Sequence, residues 1–243
     1  KEKAEILRLR YDYEAAVAAL REAVRLDPDD VWAHIAMGDI ATILNDSTRA
    51  LAAFRAAERA ARLSGDERNV SVSLNRMGDV VAAQGDLAGA LVHYEEGLAI
   101  ARRLAGADPS HGERQRDVAI SLTRTGDVLR AQGDLAGALA RYEESLAITR
   151  RLAGADPSDA ERQRDLSISL DRTADILLAR GDLAGALARY EEGLAIGRRL
   201  AGADPSHAER QRDLSVSLDR TGDVLRAQGG LAAALARYEE GLA

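Results

Sequence analysis

The chain has 243 residues, with 33 lysines and arginines against 40 aspartates and glutamates, and hence a formal net charge of −7. This balance provides no overall basic field for nucleic acid or an anionic membrane surface. Cysteine is absent, which excludes disulfides, thiolate metal sites and thiol nucleophiles. Aromatic residues make up only 3% of the chain and charged residues 30%, a composition typical of a soluble helical protein.

The sequence also lacks the signals of a membrane or secreted protein. No stretch approaches the 18 or so uninterrupted apolar residues of a membrane span. The start, Lys1 to Glu5, has no secretory apolar region. We therefore expect a cytoplasmic protein that binds neither membrane nor nucleic acid.

A repeat of 48 residues dominates the chain. Residues 119–166 align without a gap on residues 167–214, and 39 of the 48 positions are identical. The same register reaches back to residue 71 and forward to residue 243, whereas upstream Gly38 lies 40 residues before Gly78. We predict a single repeat array over residues 1–243, with units 31–70, 71–118, 119–166 and 167–214 and partial units 1–30 and 215–243.

Each unit is predicted to form two helices. The partial first unit, from Asp12 to Pro28, has the pattern of a second helix whose first helix is cut short. In the full units the spacing of a serine and a glutamate predicts a capping box at the start of the first helix, at Ser110/Glu113, Ser158/Glu161 and Ser206/Glu209. Apolar residues then recur at steps of three and four, as expected for a helix.

The turn between the two helices is marked by Gly181 and Asp182 and their copies. A glycine suits the left-handed position after a helix, and an aspartate suits the N-cap of the next. The second helix is predicted to run to about Leu200. The last unit has Gly230 in place of the capping aspartate.

Two amphipathic helices cannot bury both apolar faces on each other, so we expect the hairpins to stack on one another. Gly193 and its copies Gly97 and Gly241 are predicted to allow close backbone contact, which would offset the helix penalty of glycine. In the last unit Leu231, Leu235, Tyr238 and Leu242 lack a following hairpin. We expect them to be partly exposed, with fraying or end-to-end self-association of the fragment.

These units resemble the tetratricopeptide repeat family. Its motif has a large residue and then a small one in the first helix, an alanine, an aromatic and a small residue in the second, and a proline afterwards. The sequence fits it with Leu122, Gly126, Leu129, Ala138, Tyr142, Ser145 and Pro157, with the copies of these residues in the neighbouring units, and with Gly38, Ala41, Ala50, Phe54 and Ala57. The resemblance implies an all-α fold, a right-handed α-solenoid of stacked antiparallel hairpins. The 48-residue period is similar to the kinesin light chain type.

Near-identity of the units argues against catalysis, because a reaction centre needs unlike groups at one point. His111 and His207 are interpreted as solvated first-turn residues, and Gly133–Asp134 as a turn with an N-cap rather than a phosphate loop. The tyrosines of the second helices are interpreted as core, as are Trp32 and Phe54. The arginine pairs 102–103, 150–151 and 198–199 are interpreted as last-turn residues that favour the helix dipole. We predict no enzyme activity, no cofactor and no metal site.

The resemblance further implies a binding groove on the concave face of the first helices. Residues carried over from the family to this face are Asn75, Asp79, Thr123, Asp127, Arg130, Asp171, Asp175, Asp219, Asp223 and Arg226. The aspartates would form a negative stripe, which disfavours the carboxylate clamp of chaperone-binding members and favours a basic or mixed-charge peptide. The alternative is that Arg124, Arg172 and Arg220 pair with the aspartates three residues later on their own helices.

Two functions are compatible with this sequence. The first is a non-enzymatic scaffold that binds a peptide or helix of a protein along the groove. The second is a regulatory or sensor arm of a larger bacterial enzyme or signalling protein (a protease, NTPase or transcriptional regulator), because Lys1 and Ala243 lie inside predicted hairpins.

Overall fold

The structure is a computed structural model that describes residues 12–242. These residues form eleven α-helices and no strand, as the sequence predicts. In chain order the helices are α1 (Tyr13–Leu26), α2 (Val31–Ile43), α3 (Ser47–Ser64), α4 (Glu67–Ala83), α5 (Leu87–Ala107), α6 (Gly112–Ala131), α7 (Leu135–Ala155), α8 (Ala160–Ala179), α9 (Leu183–Ala203), α10 (Ala208–Ala227) and α11 (Leu231–Gly241).

The chain divides into two compact units, Lys1–Arg114 and Gln115–Ala243. In unit 1 the helices pack in sequence order, and an ion pair of 2.6 Å joins Arg103 near the end of α5 to Glu67 at the start of α4. In unit 2, Arg151 of α7 donates to Gln115 of α6 at 2.7 Å. The two helices of each hairpin are therefore antiparallel. We call α2, α4, α6, α8 and α10 the first helices of their hairpins.

The turns inside the hairpins are formed as predicted. Gly181 has a φ of 83°, in the left-handed region that glycine adopts readily. The Asp182 carboxylate follows and accepts a hydrogen bond of 2.9 Å from the Gly185 backbone N–H at the start of α9. In α11 the N-cap is Gly230, which has no side chain to cap the helix.

The predicted capping boxes are wrong. The N-cap of α8 is Asp159, whose Oδ1 accepts from the backbone N–H groups of Glu161 at 2.9 Å and Arg162 at 3.1 Å. The Ser158 hydroxyl donates instead to Asp156 at 2.6 Å, so the serine belongs to the Asp-Pro-Ser turn before the helix. Ser110 and Ser206 donate in the same way to Asp108 and Asp204.

The second helices are longer than predicted, and this changes the role of the arginine pairs. The helix α9 ends at Ala203 rather than near Leu200, so the pairs do not lie in the last turn and the helix-dipole interpretation is wrong. Arg150 reaches Glu192 and Arg198 reaches Glu240, each at 2.5 Å. These two ion pairs link the second helix of one hairpin to the second helix of the next hairpin.

Aromatic side chains and small residues fill the space between the helices of each hairpin. Tyr142 is buried, and a Cβ atom built on Gly126 would lie 2.7 Å from its ring. Phe54 packs in the same way on Gly38. The tyrosine and Phe54 core predictions are therefore confirmed, although Tyr238 of the last hairpin is only half-buried.

The core prediction for Trp32 is wrong, since its side chain is 39% exposed. His34 occupies the position four residues before Gly38, where the other first helices have the buried residues Leu74, Leu122, Leu170 and Leu218. Its Nε2 lies 2.8 Å from the Pro28 carbonyl oxygen. Two residues of a helix turn the chain by about 200°, so Trp32 points away from the core.

Other packing predictions hold in part. A Cβ atom on Gly97 would lie 3.3 Å from the Ser71 carbonyl oxygen, whereas on Gly193 it would meet the Asp171 side chain at 3.1 Å. Close contact is thus confirmed at Gly97 and Gly193, with backbone only at Gly97, but not at Gly241, where the nearest atom would be 3.7 Å away. Leu231, Leu235 and Leu242 are exposed as predicted, and self-association stays a prediction.

In residues 12–242 the helices are too short or too polar to cross a membrane.

Candidate functional site

Four of the six aspartates of the predicted groove accept hydrogen bonds from tyrosines of the second helices. In unit 2 the Tyr142 hydroxyl donates to Asp127 Oδ1 at 2.6 Å, and Tyr190 donates to Asp175 in the same way. Burial and the bond to Asp127 raise the pKa of Tyr142 above its ordinary value. The copies are Tyr94 to Asp79 at 2.8 Å in unit 1 and Tyr238 to Asp223 at 2.9 Å in unit 2. These carboxylates therefore belong to the hairpin framework as well as to the surface.

Arginines of the first helices also pair with these aspartates, but mostly between hairpins. Arg172 Nε of α8 lies 3.4 Å from Asp127 of α6. Arg220 Nη1 of α10 lies 3.0 Å from Asp171 Oδ2 of α8, and its Nη2 lies 4.0 Å from Asp175. The prediction of pairing within the helix is wrong for Arg172 and Arg220, because each side chain reaches back to the preceding first helix.

A third set of predicted groove residues faces the second helix of its own hairpin. The Thr123 hydroxyl lies 3.0 Å from the Ser145 hydroxyl. In the equivalent positions, Asn75 lies against Gly97, Asp171 against Gly193 and Asp219, more loosely, against Gly241. Among the predicted residues, the exposed ones are Arg130, Asp219, Asp223 and Arg226, and Arg226 pairs with Asp223 at 3.2 Å.

Asp171 has the most unusual environment of these carboxylates. Its side chain is only 15% exposed, and its Oδ1 has no hydrogen-bond partner among the described residues. Burial raises its pKa from 3.8 to about 6, against the opposing effect of Arg220. The neighbouring Asp175 adds to the increase. Near neutral pH this group is therefore much closer to accepting a proton than an ordinary aspartate.

Beside Asp171 a cleft of about 310 Å³ opens between α8 and α10, with α9 at its base. Gly197 of α9 lines it, and a Cβ atom there would be 3.8 Å from the Leu214 side chain. In the preceding hairpin the same position is Thr149, a buried side chain whose hydroxyl donates to backbone carbonyls. The missing side chain at Gly197 therefore leaves room for the cleft.

The sequence did not reveal this cleft, although a signal was present. Units 119–166 and 167–214 differ at nine positions. Three of these differences, at Ser167, Asp171 and Gly197, line the cleft, and a fourth, at Gly193, lies against the Asp171 side chain. The positions at which near-identical repeats differ would thus have indicated where the cleft lies. The residues that the repeats share indicate only how each hairpin is packed.

The first helices are joined by further ion pairs at their amino-terminal halves. Arg116 of α6 pairs with Asp165 of α8 at 2.5 Å. Arg164 of α8 pairs with Glu209 at 2.6 Å and Asp213 at 2.9 Å, both on α10. The three first helices of unit 2 are thus joined to one another by several ion pairs, and they present one shared face. We call this surface, from Arg116 to Arg226, the first-helix groove.

Comparison with protein families agrees with this architecture. Residues 3–156 match the model of the MalT-like TPR region, and residues 169–209 match that of the tetratricopeptide repeat. The chain belongs to the tetratricopeptide repeat (TPR) family. Proteins built from such repeats generally mediate protein–protein interactions and are generally non-catalytic scaffolds.

Solved structures show the same fold at low sequence identity. BtubC from P. vanneervenii has a TM-score of 0.72 at 18% identity, over 93% of this chain and 85% of that chain. The type IV pilus biogenesis factor PilW has a TM-score of 0.65 at 18% identity, over 97% and 87%. Kinesin light chain TPR-like repeats from Podosopora anserina give 0.65 at 15%, over 88% and 93%. No curated protein matches the chain.

Proposed function

We propose that this TPR chain is a non-enzymatic interaction module that binds a peptide or helix of a protein partner along the first-helix groove. The observation that carries the proposal is the cleft of about 310 Å³ between α8 and α10, which opens into that groove. Clefts lined by apolar and a few polar groups are the usual places for ligand side chains.

The charges of the groove support a partner of mixed charge. The ion pairs of Arg164 with Glu209 and Asp213 are the more exposed ones between the first helices, and surface pairs each contribute about 0–1 kcal/mol. A partner can therefore displace them at little cost. Exposed Arg130 and Arg226 would bind acidic groups of the partner, and exposed Asp219 and Asp223 would bind basic ones.

Site-specific photo-crosslinking in the source cell tests this proposal. A photoreactive residue replaces Arg130 or Asp219 in the groove, or Glu143 or Ala195 on the second helices as controls, since all four positions are exposed. We expect one discrete protein adduct from both groove positions and weak or diffuse adducts from the controls. Equal adducts from all four positions would exclude the groove as the binding surface.

A further inference from the structure

A cavity of about 470 Å³ lies in unit 1, where α1, α2 and α3 meet. Its lining is mainly apolar. It includes the buried residues Ile40 and Ala41 of α2, together with the half-buried Val17 of α1 and Met37 of α2. This volume is within the range of small-ligand sites, which are also largely apolar. The cavity is separate from the first-helix groove, which lies in unit 2.

Two alanines of α3 account for the open space. Ala53 and Ala56 line the cavity, seven and ten residues after the capping aspartate Asp46. At the same two positions the other second helices have longer polar residues: His93 and Glu96 in α5, Arg141 and Glu144 in α7, and Arg189 and Glu192 in α9. Because alanine is much shorter, α3 leaves open the space that such side chains would occupy.

The ion pair that joins neighbouring second helices is also missing between α1 and α3. Between α3 and α5, Arg62 pairs with Glu96 at 2.7 Å. The position in α1 that corresponds to Arg62 is Pro28, which lies after the end of that helix at Leu26. Ala56 takes the place of the glutamate. No such pair can therefore close the cavity from this side.

The charges at the cavity leave one arginine unpaired. The acidic and basic residues of its lining are Asp46, Arg49 and Arg21. Asp46 pairs with Arg49 at 3.3 Å. Arg21 of α1 is exposed and has no ion pair with any described residue. One guanidinium group at the cavity thus remains available, and such groups bind carboxylates through two parallel N–H donors.

A buried histidine lies at the same cavity. His34 lines it and is only 8% exposed. Its Nε2 donates to the Pro28 carbonyl oxygen, and its Nδ1 has no hydrogen-bond partner within residues 12–242. Native folds leave few buried polar atoms without a partner, and an unseen bound molecule is one usual reason for an exception. This observation therefore points independently to an occupant in this part of the fold.

We propose that this cavity binds a small molecule with an apolar body and one carboxylate group. The apolar body would lie against Val17, Met37 and Ile40, and the carboxylate would bind Arg21 at the surface. A cationic head group would be repelled by Arg21. A stable protein interface buries about 800 Å² on each side, more than the walls of such a cavity provide, so the volume favours a small ligand over a protein partner.

Isothermal titration calorimetry of the whole chain tests this inference with three probes below their micelle concentrations. Decanoate has both the apolar body and the carboxylate, acetate has only the carboxylate, and decyltrimethylammonium has the apolar body with a cationic head. We expect decanoate to bind at one site and acetate to give no detectable binding. Decyltrimethylammonium should bind about tenfold or more weakly than decanoate.

Two matched pairs of variants locate the binding. Ala53→Leu fills the cavity, whereas Ala140→Leu makes the same change at an exposed position of α7 in unit 2. Arg21→Gln removes the charge at the cavity, whereas Arg55→Gln removes an exposed arginine of α3 outside the lining. We expect Ala53→Leu and Arg21→Gln each to weaken decanoate binding about tenfold or more, and the two controls to leave it unchanged. Circular dichroism establishes that the variants are folded.

Three outcomes would overturn the inference. They are similar affinities for decanoate and decyltrimethylammonium, similar affinities for decanoate and acetate, and equal effects of the two members of either variant pair. The first would indicate non-specific apolar binding, and the second a site for small anions. None of them affects the crosslinking result at Arg130 and Asp219, so this inference and the proposed function can fail separately.

Discussion

The hairpins α6–α7 and α8–α9 share most of their sequence but differ at the surface. In the first, the Thr123 hydroxyl lies 3.0 Å from the Ser145 hydroxyl and Thr149 is buried. In the second, the equivalent residues are Asp171, Gly193 and Gly197, and the cleft opens beside them. Of these residues, Asp171 and Gly197 line the cleft. The shared tyrosines, caps and small residues keep the two hairpins alike in fold.

The largest expected effect concerns the framework that both hairpins share. Tyr142→Ala and Tyr190→Ala should each lower the free energy of unfolding by about 3–5 kcal/mol, because each removes a buried aromatic side chain. The phenylalanine variants should lower it by only about 1 kcal/mol, through loss of the bond to the aspartate. Urea unfolding measures these differences. Clearly unequal values for the two hairpins would contradict the idea of a common framework.

The next effect distinguishes the hairpins and depends on pH. The pKa of Asp171 is about 6 in the folded chain, above the ordinary value of about 3.9 in an unfolded chain. The folded state therefore favours the protonated group. The stability that this provides is complete below about pH 4 and is lost as the pH rises through 6, by about 3 kcal/mol.

Asp171→Asn should abolish that loss. Urea unfolding at pH 4, 5, 6 and 7 should show the difference between wild type and variant changing by up to about 3 kcal/mol across the range. Thr123, the equivalent of Asp171 in α6–α7, does not titrate, so Thr123→Val serves as the control and should give no such dependence. Parallel curves for wild type and Asp171→Asn would show that Asp171 is not perturbed.

A smaller effect concerns the helix caps, which the two hairpins share. Asp134→Ala and Asp182→Ala should each lower the free energy of unfolding by about 1 kcal/mol, since each removes the acceptor for a backbone N–H in the first turn. Gly230→Asp at the start of α11 should raise it by a few tenths of a kcal/mol. Thermal and urea unfolding measure these values. A loss from Gly230→Asp would show that α11 does not begin like α7 and α9.

The smallest effect concerns the ion pairs between first helices. Arg172→Ala and Arg220→Ala should each cost at most about 1 kcal/mol, because both side chains are about one-third exposed. High salt should reduce the difference from wild type. A large cost that salt does not change would indicate that these arginines act through packing rather than through charge.

The local features of the fold could be predicted from sequence because they depend on neighbouring residues. Gly181 and Asp182 specify a turn and a cap within a few residues, and the steps of three and four specify the helices. Prediction from neighbouring residues failed where two nearby residues could cap the same helix. Ser158 could cap α8 or join the preceding turn, and a second carboxylate, Asp159, takes the cap.

The candidate site was harder to predict because it depends on residues from different hairpins. Sequence reasoning placed the aspartates on the first helices, and the structure does bring Asp171 and Asp175 together with Arg220. Sequence reasoning did not predict that Arg220 comes from the next hairpin. The packing angle between neighbouring helices decides which residues a side chain can reach, and the sequence does not give that angle. It did not single out Gly197, whose importance arises from what α10 places against it.

The sequence by itself determined the class of fold, since a 48-residue repeat of two amphipathic helices can bury its apolar faces only by stacking. It also determined the turns, the aspartate caps at the start of the second helices and the tyrosine core. Only the tertiary structure decided which aspartates are bound by tyrosines, which arginines bridge hairpins and where the cleft opens. Helical periodicity fixes the face on which a residue lies, whereas burial, pairing and empty space depend on the side chains that the neighbouring hairpin brings to the same point.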